Sequence, residues 1–133
     1  MDELIFNRTL EDVLNETDIG FYEYTDLNRV ESWCQYLAGQ LTSYSYPVTI
    51  TTKTNWTMTD KRSDSQMERI RLNIKKIAQA FYSFTQISLT ANNFDYLKAN
   101  NWEQILYEIN TLLSNMIASF YYSGEVYSGE VEA

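Results

Sequence analysis

The sequence predicts a mainly α protein, an elongated three-helix bundle, and three observations carry that prediction. A 3-4-3-4 apolar spacing occurs three times, turn-like or β-branched stretches separate the three runs, and a capping residue stands near each start. The first helix is expected over about 26–44, where Leu27, Val30, Cys34, Leu37, Leu41 and Tyr44 form the apolar seam and Thr25 or Asp26 offers an N-cap. The second is expected over about 64–83, with Met67, Ile70, Ile74, Ile77, Phe81 and Phe84 as its seam. Ser65-Gln-Met-Glu68 matches the capping box that satisfies two orphan amides at once. The third is expected over about 102–120, where Trp102, Ile105, Ile109, Leu112, Met116 and Phe120 recur, Leu106, Leu113 and Ile117 widen the stripe, and Asn100 or Asn101 is the cap. Rods of about 20 residues are roughly 30 Å long, and matched lengths favour packing side by side near a +20° crossing.

The connections are read from composition. Leu10, Val13 and Leu14 suggest a short helix within 9–16. The β-branched run after Tyr46-Pro47 predicts a short extended strand at 48–53. Ile87 to Leu97, with Asn92-Asn93, reads as loop with at most one helical turn. The tandem Tyr122-Ser-Gly-Glu-Val126 and Tyr127-Ser-Gly-Glu-Val131 places two glycines five residues apart, so the third helix is expected to end before an extended repeat tail over 122–133. Residues 1–133 form one expected domain, because 44% hydrophobic content supplies one modest core.

Charge and residue chemistry narrow the function. Net charge is −8, and nine of the eighteen carboxylates fall within the first 31 residues, which argues against nucleic acid as a partner. Six of the ten basic residues lie between Lys61 and Lys76, read as internal charge balance. There is no His and one Cys, so a Ser-His or Cys-His pair, an intrachain disulfide and an ordinary zinc set are excluded. Cys34 sits in a seam and is expected to be buried and inert. Glu103 and Glu108, five residues apart, point to different helix faces and are read as solvated surface. Four scattered glycines make no nucleotide loop, no cofactor is expected, and an enzyme is not predicted. The N-terminus has no basic, apolar leader, no run is long enough to insert into a membrane, and the triplets at Asn7, Asn15 and Asn55 read as chance glycosylation matches. Eleven tyrosines exceed what the core needs. Tyr22, Tyr24, Tyr44, Tyr46, Tyr121, Tyr122 and Tyr127, with Val126 and Val131 of the repeat, are the candidate interface residues, since Tyr combines a large rigid area with a polar tip.

Five stretches stand out: Ile5-Phe-Asn-Arg-Thr-Leu-Glu-Asp-Val13, Tyr24-Thr-Asp-Leu-Asn-Arg-Val-Glu31, Thr51-Thr-Lys-Thr-Asn-Trp-Thr-Met58, Met67-Glu-Arg-Ile-Arg-Leu-Asn-Ile74, and Ile105-Leu-Tyr-Glu-Ile109 with the Tyr-Ser-Gly-Glu endings. Together they resemble small structural proteins, or C-terminal modules of tail-fibre-like proteins, from the tail regions of phages and prophages of Gram-positive bacteria. They span nearly the whole chain in order, with Lys61-Arg62 standing where the family pattern has a Pro-containing turn. The resemblance implies a virion component at the baseplate or fibre end, made in the host cytoplasm, organising host attachment and assembling with other phage tail proteins and as a homo-oligomer, with a trimer among the candidates. The other open reading is a small acidic prophage-encoded regulator or inhibitor that binds a host or phage protein.

Overall fold

A computed structural model describes residues 1–17, 22–81 and 85–131, with side chains in the last helix described as far as Ser119. Among the described residues four helices follow in order: α1 (Leu10–Leu14), α2 (Tyr24–Ser43), α3 (Asp64–Ala80) and α4 (Tyr96–Val131). Each of α2, α3 and α4 touches the other two, and the predicted seams face inward. Leu27, Val30, Cys34, Leu37 and Leu41 of α2, Met67, Ile70, Ile74 and Ile77 of α3, and Trp102, Ile105 and Ile109 of α4 share one core. At the far end the α4 seam slips by one position. Leu113, expected only in the widened stripe, is buried and Leu112 is half-buried, because 3.6 residues per turn drifts off a strict heptad over about three turns.

The helix ends differ from expectation in instructive ways. α2 begins two residues early, and Asp26 accepts the Glu23 amide at 2.7 Å from inside the first turn instead of acting as the N-cap. The α3 capping box is Ser63 with Gln66, not Ser65 with Glu68. Glu68 instead receives three hydrogen bonds from Arg71. α3 stops at Ala80 with Phe81 extended, short of the expected 83; positions 82–84 lie outside the described residues. α4 starts near Asp95, whose carboxylate accepts the Lys98 amide at 3.0 Å. Asn100 and Asn101, expected as caps, are therefore inside the helix and free to tie distant segments together.

The extended tail expected over 122–133 is corrected as well, since α4 continues as helix to Val131. A helix-interior glycine costs only about 1 kcal/mol against alanine, so two of them weaken a helix without ending it. The short N-terminal helix is present, held by reciprocal Thr9 and Asp12 hydrogen bonds. None of its residues is buried.

The 48–53 strand pairs with no other strand among the described residues, yet the chain there is extended. Val48 meets Thr42 and Lys53 meets Glu31, so five residues cover the length of eleven residues of α2. That is about 16 Å, or about 3.3 Å per residue, the rise of a β-strand. Val48 and Ile50 pack against the core, while Thr49 and Thr51 are exposed. Alternation is thus present without a sheet, because helix side chains replace the neighbouring strand.

Candidate functional site

The least expected feature is a polar knot that ties residues 2–8 to α2 and α4. Glu103 is fully buried, contrary to the solvated surface position the sequence suggested. Its carboxylate accepts from the Ile5 amide at 2.9 Å, from Arg8 Nη2 at 2.7 Å and from Arg29 Nε and Nη2 at 2.7 and 2.9 Å. Asp26 completes a two-cation, two-anion cluster by accepting from Arg29 at 2.6 Å and Arg8 at 3.5 Å. Asn100 bonds to both the amide and the carbonyl of Arg8, so the strap is read by side chains as a strand would be read by a neighbour. Burial alone would pull the Arg29 guanidinium down, but the hydrogen bonds and charge of Glu103, then Asp26, hold it above its ordinary value.

A second knot centres on Glu31, also fully buried. It accepts from Arg69 at 2.6 Å, from the Lys53 amide at 2.9 Å and from the Trp56 indole. Asn28 bonds to both backbone groups of Trp56, and Arg69 and Asn73 both donate to the Thr51 carbonyl. Two arginines of the basic stretch, Arg69 and Arg71, are therefore paired with Glu31 and Glu68 within the chain. Glu108 likewise departs from the solvated position expected of it, since it is half-buried and accepts from the Thr85 amide and hydroxyl. These carboxylates act as structural acceptors, and Glu103 and Glu31 each accept four hydrogen bonds from fixed donors.

Cys34 is buried, and burial, then the nearby Glu31 charge, pushes its thiol well above the ordinary range. Such a thiol is a core side chain rather than a nucleophile. Among the described residues no group of three His, Cys, Asp or Glu side chains is placed to hold a metal ion. No helix among them is long and apolar enough to cross a membrane.

The candidate interface tyrosines divide into three groups. Tyr22 and Tyr24 are half-buried at the start of α2, with the Tyr22 ring 4.8 Å from Phe94 and the Arg62 guanidinium 6.0 Å above it. The Tyr22 hydroxyl is buried without a hydrogen-bond partner among the described residues, and burial, then Glu103 and Asp26, raises its pKa. Tyr44 is half-buried at the end of α2, and Tyr46 is exposed with its ring 5.2 Å from Phe81. Tyr121, Tyr122, Val126, Tyr127 and Val131 lie on α4, with their side chains outside the described residues. Two grooves meet at Tyr22 and Arg62: one of about 660 Å³ reaching Met58 and Lys61, and one of about 340 Å³ reaching Val13 and Tyr96. Beside them α1 leaves Leu10 and Leu14 exposed, and Leu97 in the first turn of α4 is 60% exposed.

Sequence reasoning missed Arg8, Asp26, Arg29, Glu31, Arg69, Trp56 and Glu103 as a set. A signal existed: Asp26 and Arg29 flank Leu27 and Val30, and Glu103 sits between Trp102 and Leu106, at the margins of stripes too wide to leave charges in water. No protein-family model, curated protein or solved structure matches this chain.

Proposed function

We propose that this chain is a structural or adaptor subunit of a phage tail, an elongated three-helix bundle that works by protein–protein assembly near the baseplate or fibre end. The tail assignment is supported by the ordered family-like stretches from Ile5 to the Tyr-Ser-Gly-Glu endings. The assembly role is supported chiefly by the length of α4. Its 36 residues amount to about 54 Å, against about 30 Å for α2 and about 26 Å for α3. Among the described side chains, which end at Ser119, the last that pack on the core are Leu113, Met116 and Ile117. Residues 118–131 then continue for about 21 Å, and a helix of that length carrying two glycines is marginal alone in water. Contact with other chains supplies the packing such a segment needs.

The acidic-regulator reading draws less support. A mimic of nucleic acid needs its carboxylates in solvent, whereas Asp26, Glu31 and Glu103 lie inside the fold and neutralise arginines. The separating experiment is mass spectrometry of purified particles, beside affinity capture from the same induced cells. A tail subunit appears in the particles at a fixed stoichiometry; recovery only with a soluble host factor overturns the reading.

A further inference from the structure

The extended segment carries an unused hydrogen-bonding edge. In a strand, successive residues direct their amide and carbonyl to opposite sides. Odd positions face the seam between α2 and α3: the Thr51 carbonyl takes Arg69 and Asn73 of α3, and the Lys53 amide gives to Glu31, which reaches up from α2. Even positions face α2, where Thr42 holds Val48 at one end and Asn28 holds Trp56 at the other. Between those two pins, the backbone groups of Ile50, Thr52 and Thr54 make no hydrogen bond to the described residues. Alongside Ile50 and Thr52 runs a groove of about 400 Å³, bounded by Gln35, Ala38, Gly39 and Thr42 of α2 and by these two residues. A Cβ built on Gly39 meets nothing within 4 Å, so the floor of the groove is open.

We infer that this groove is a docking site for a short extended segment of a partner chain, added as a strand to the even edge of residues 50–54. The charge pattern selects that occupant. A row of partially positive amides alternating with partially negative carbonyls is matched by another extended backbone. The six residues named as bounding the groove include no ionised group, and the small Ala38 and Gly39 leave space for uncharged side chains pointing down onto α2. The pins at Val48 and Trp56 leave residues 50–54 between them, so the added strand is about five residues at about 3.3 Å each. A second copy pairing through the same edge is disfavoured, because antiparallel two-fold pairing would bring both α2 helices to one face of the new ribbon, each into the space of the other. The inference rests on the assembly reading for the source of the segment. The titration below reads the groove alone, and the particle experiment reads assembly alone.

The test is an NMR titration of the ¹⁵N-labelled full chain with the acetylated, amidated peptide Thr-Val-Ala-Val-Thr. A second peptide is N-methylated at the amides that would face the edge. The expected result is a saturable shift of the Ile50 and Thr52 amides in the millimolar range, as a few neutral hydrogen bonds allow. N-methylation or Gly39→Leu should weaken binding by at least roughly tenfold, the size of one or two such bonds, with the fold and melting of the variant intact. The inference is overturned if those amides do not move, if only residues elsewhere respond, if the methylated peptide binds equally, or if both amides are already protected from exchange in the free protein.

Discussion

Arg29 grips Glu103 across 74 residues of sequence, its Nε and Nη2 each 2.7–2.9 Å from a separate carboxylate oxygen, with neither side chain open to water. A planar fork on a carboxylate is the strongest ion-pair geometry a protein side chain offers. Removing one charge strands the others in a low-dielectric interior. Glu103→Gln is therefore expected to destabilise the fold by about 3–5 kcal/mol, measured by urea denaturation, while Glu11→Gln on the exposed α1 changes it by less than about 0.5 kcal/mol. The same variant should release residues 2–8, read as faster amide exchange at Ile5 and Arg8.

Cys34 is expected to resist thiol reagents in the native state, labelling only as fast as the core opens. For the sign with pH, its folded pKa is raised above the ordinary 9.0 by burial. The stabilising contribution is thus whole below pH 9 and declines as pH rises past the unfolded value. Melting temperature should fall more steeply above pH 9 for the native chain than for Cys34→Ala, after correction for the cavity that alanine leaves.

The acid side has the opposite sign. Glu68 lies below its ordinary value of 4.5, chiefly through the Arg71 hydrogen bonds. Its contribution is present above pH 4.5 and is lost as pH falls through the depressed folded value. Glu68 is 38% exposed, so the effect is small. Thermal melts from pH 6 downward should show Glu68→Gln losing less stability than the native chain.

Much of the fold was legible because burial writes itself into spacing. The seams Leu27 to Leu41, Met67 to Ile77 and Trp102 to Ile109 were read directly, and they are the core. The polar knots were not, because Glu103 and Arg29 meet only after 74 residues of chain and neither carries a local motif. Turn chemistry misled in a different way. Ser65 and Glu68 fit a capping box by spacing, but Ser63 with Gln66 gave an equivalent box one half-turn earlier and left Glu68 for Arg71. Two glycines five residues apart look like a helix stop, although their cost of about 1 kcal/mol each is within what neighbouring helix can bear. Of the candidate interface residues, Tyr46 is exposed whereas Tyr22 packs against the core with its hydroxyl buried, a difference that composition alone does not carry. The unused edge at Ile50 and Thr52 was not legible either, since it emerges only when the partners of Thr51 and Lys53 are known.

Gly39 lies in the exposed interior of α2, and a methyl group there meets no neighbour. Gly39→Ala is expected to stabilise the protein by about 0.5–1 kcal/mol through helix propensity alone. A denaturation midpoint that rises without a change in slope would show this, and a fall in the midpoint would mean that the groove beside Gly39 is closed.

The most direct test of the assembly claim is multi-angle light scattering at micromolar concentration, comparing the full chain with a chain ending at Ser119. We expect the full chain to exceed one copy, and the shortened chain to be monomeric while still melting cooperatively with its three-helix core intact. A full chain that is strictly monomeric and binds no neighbouring tail protein, or a shortened chain that assembles just as well, would contradict the account.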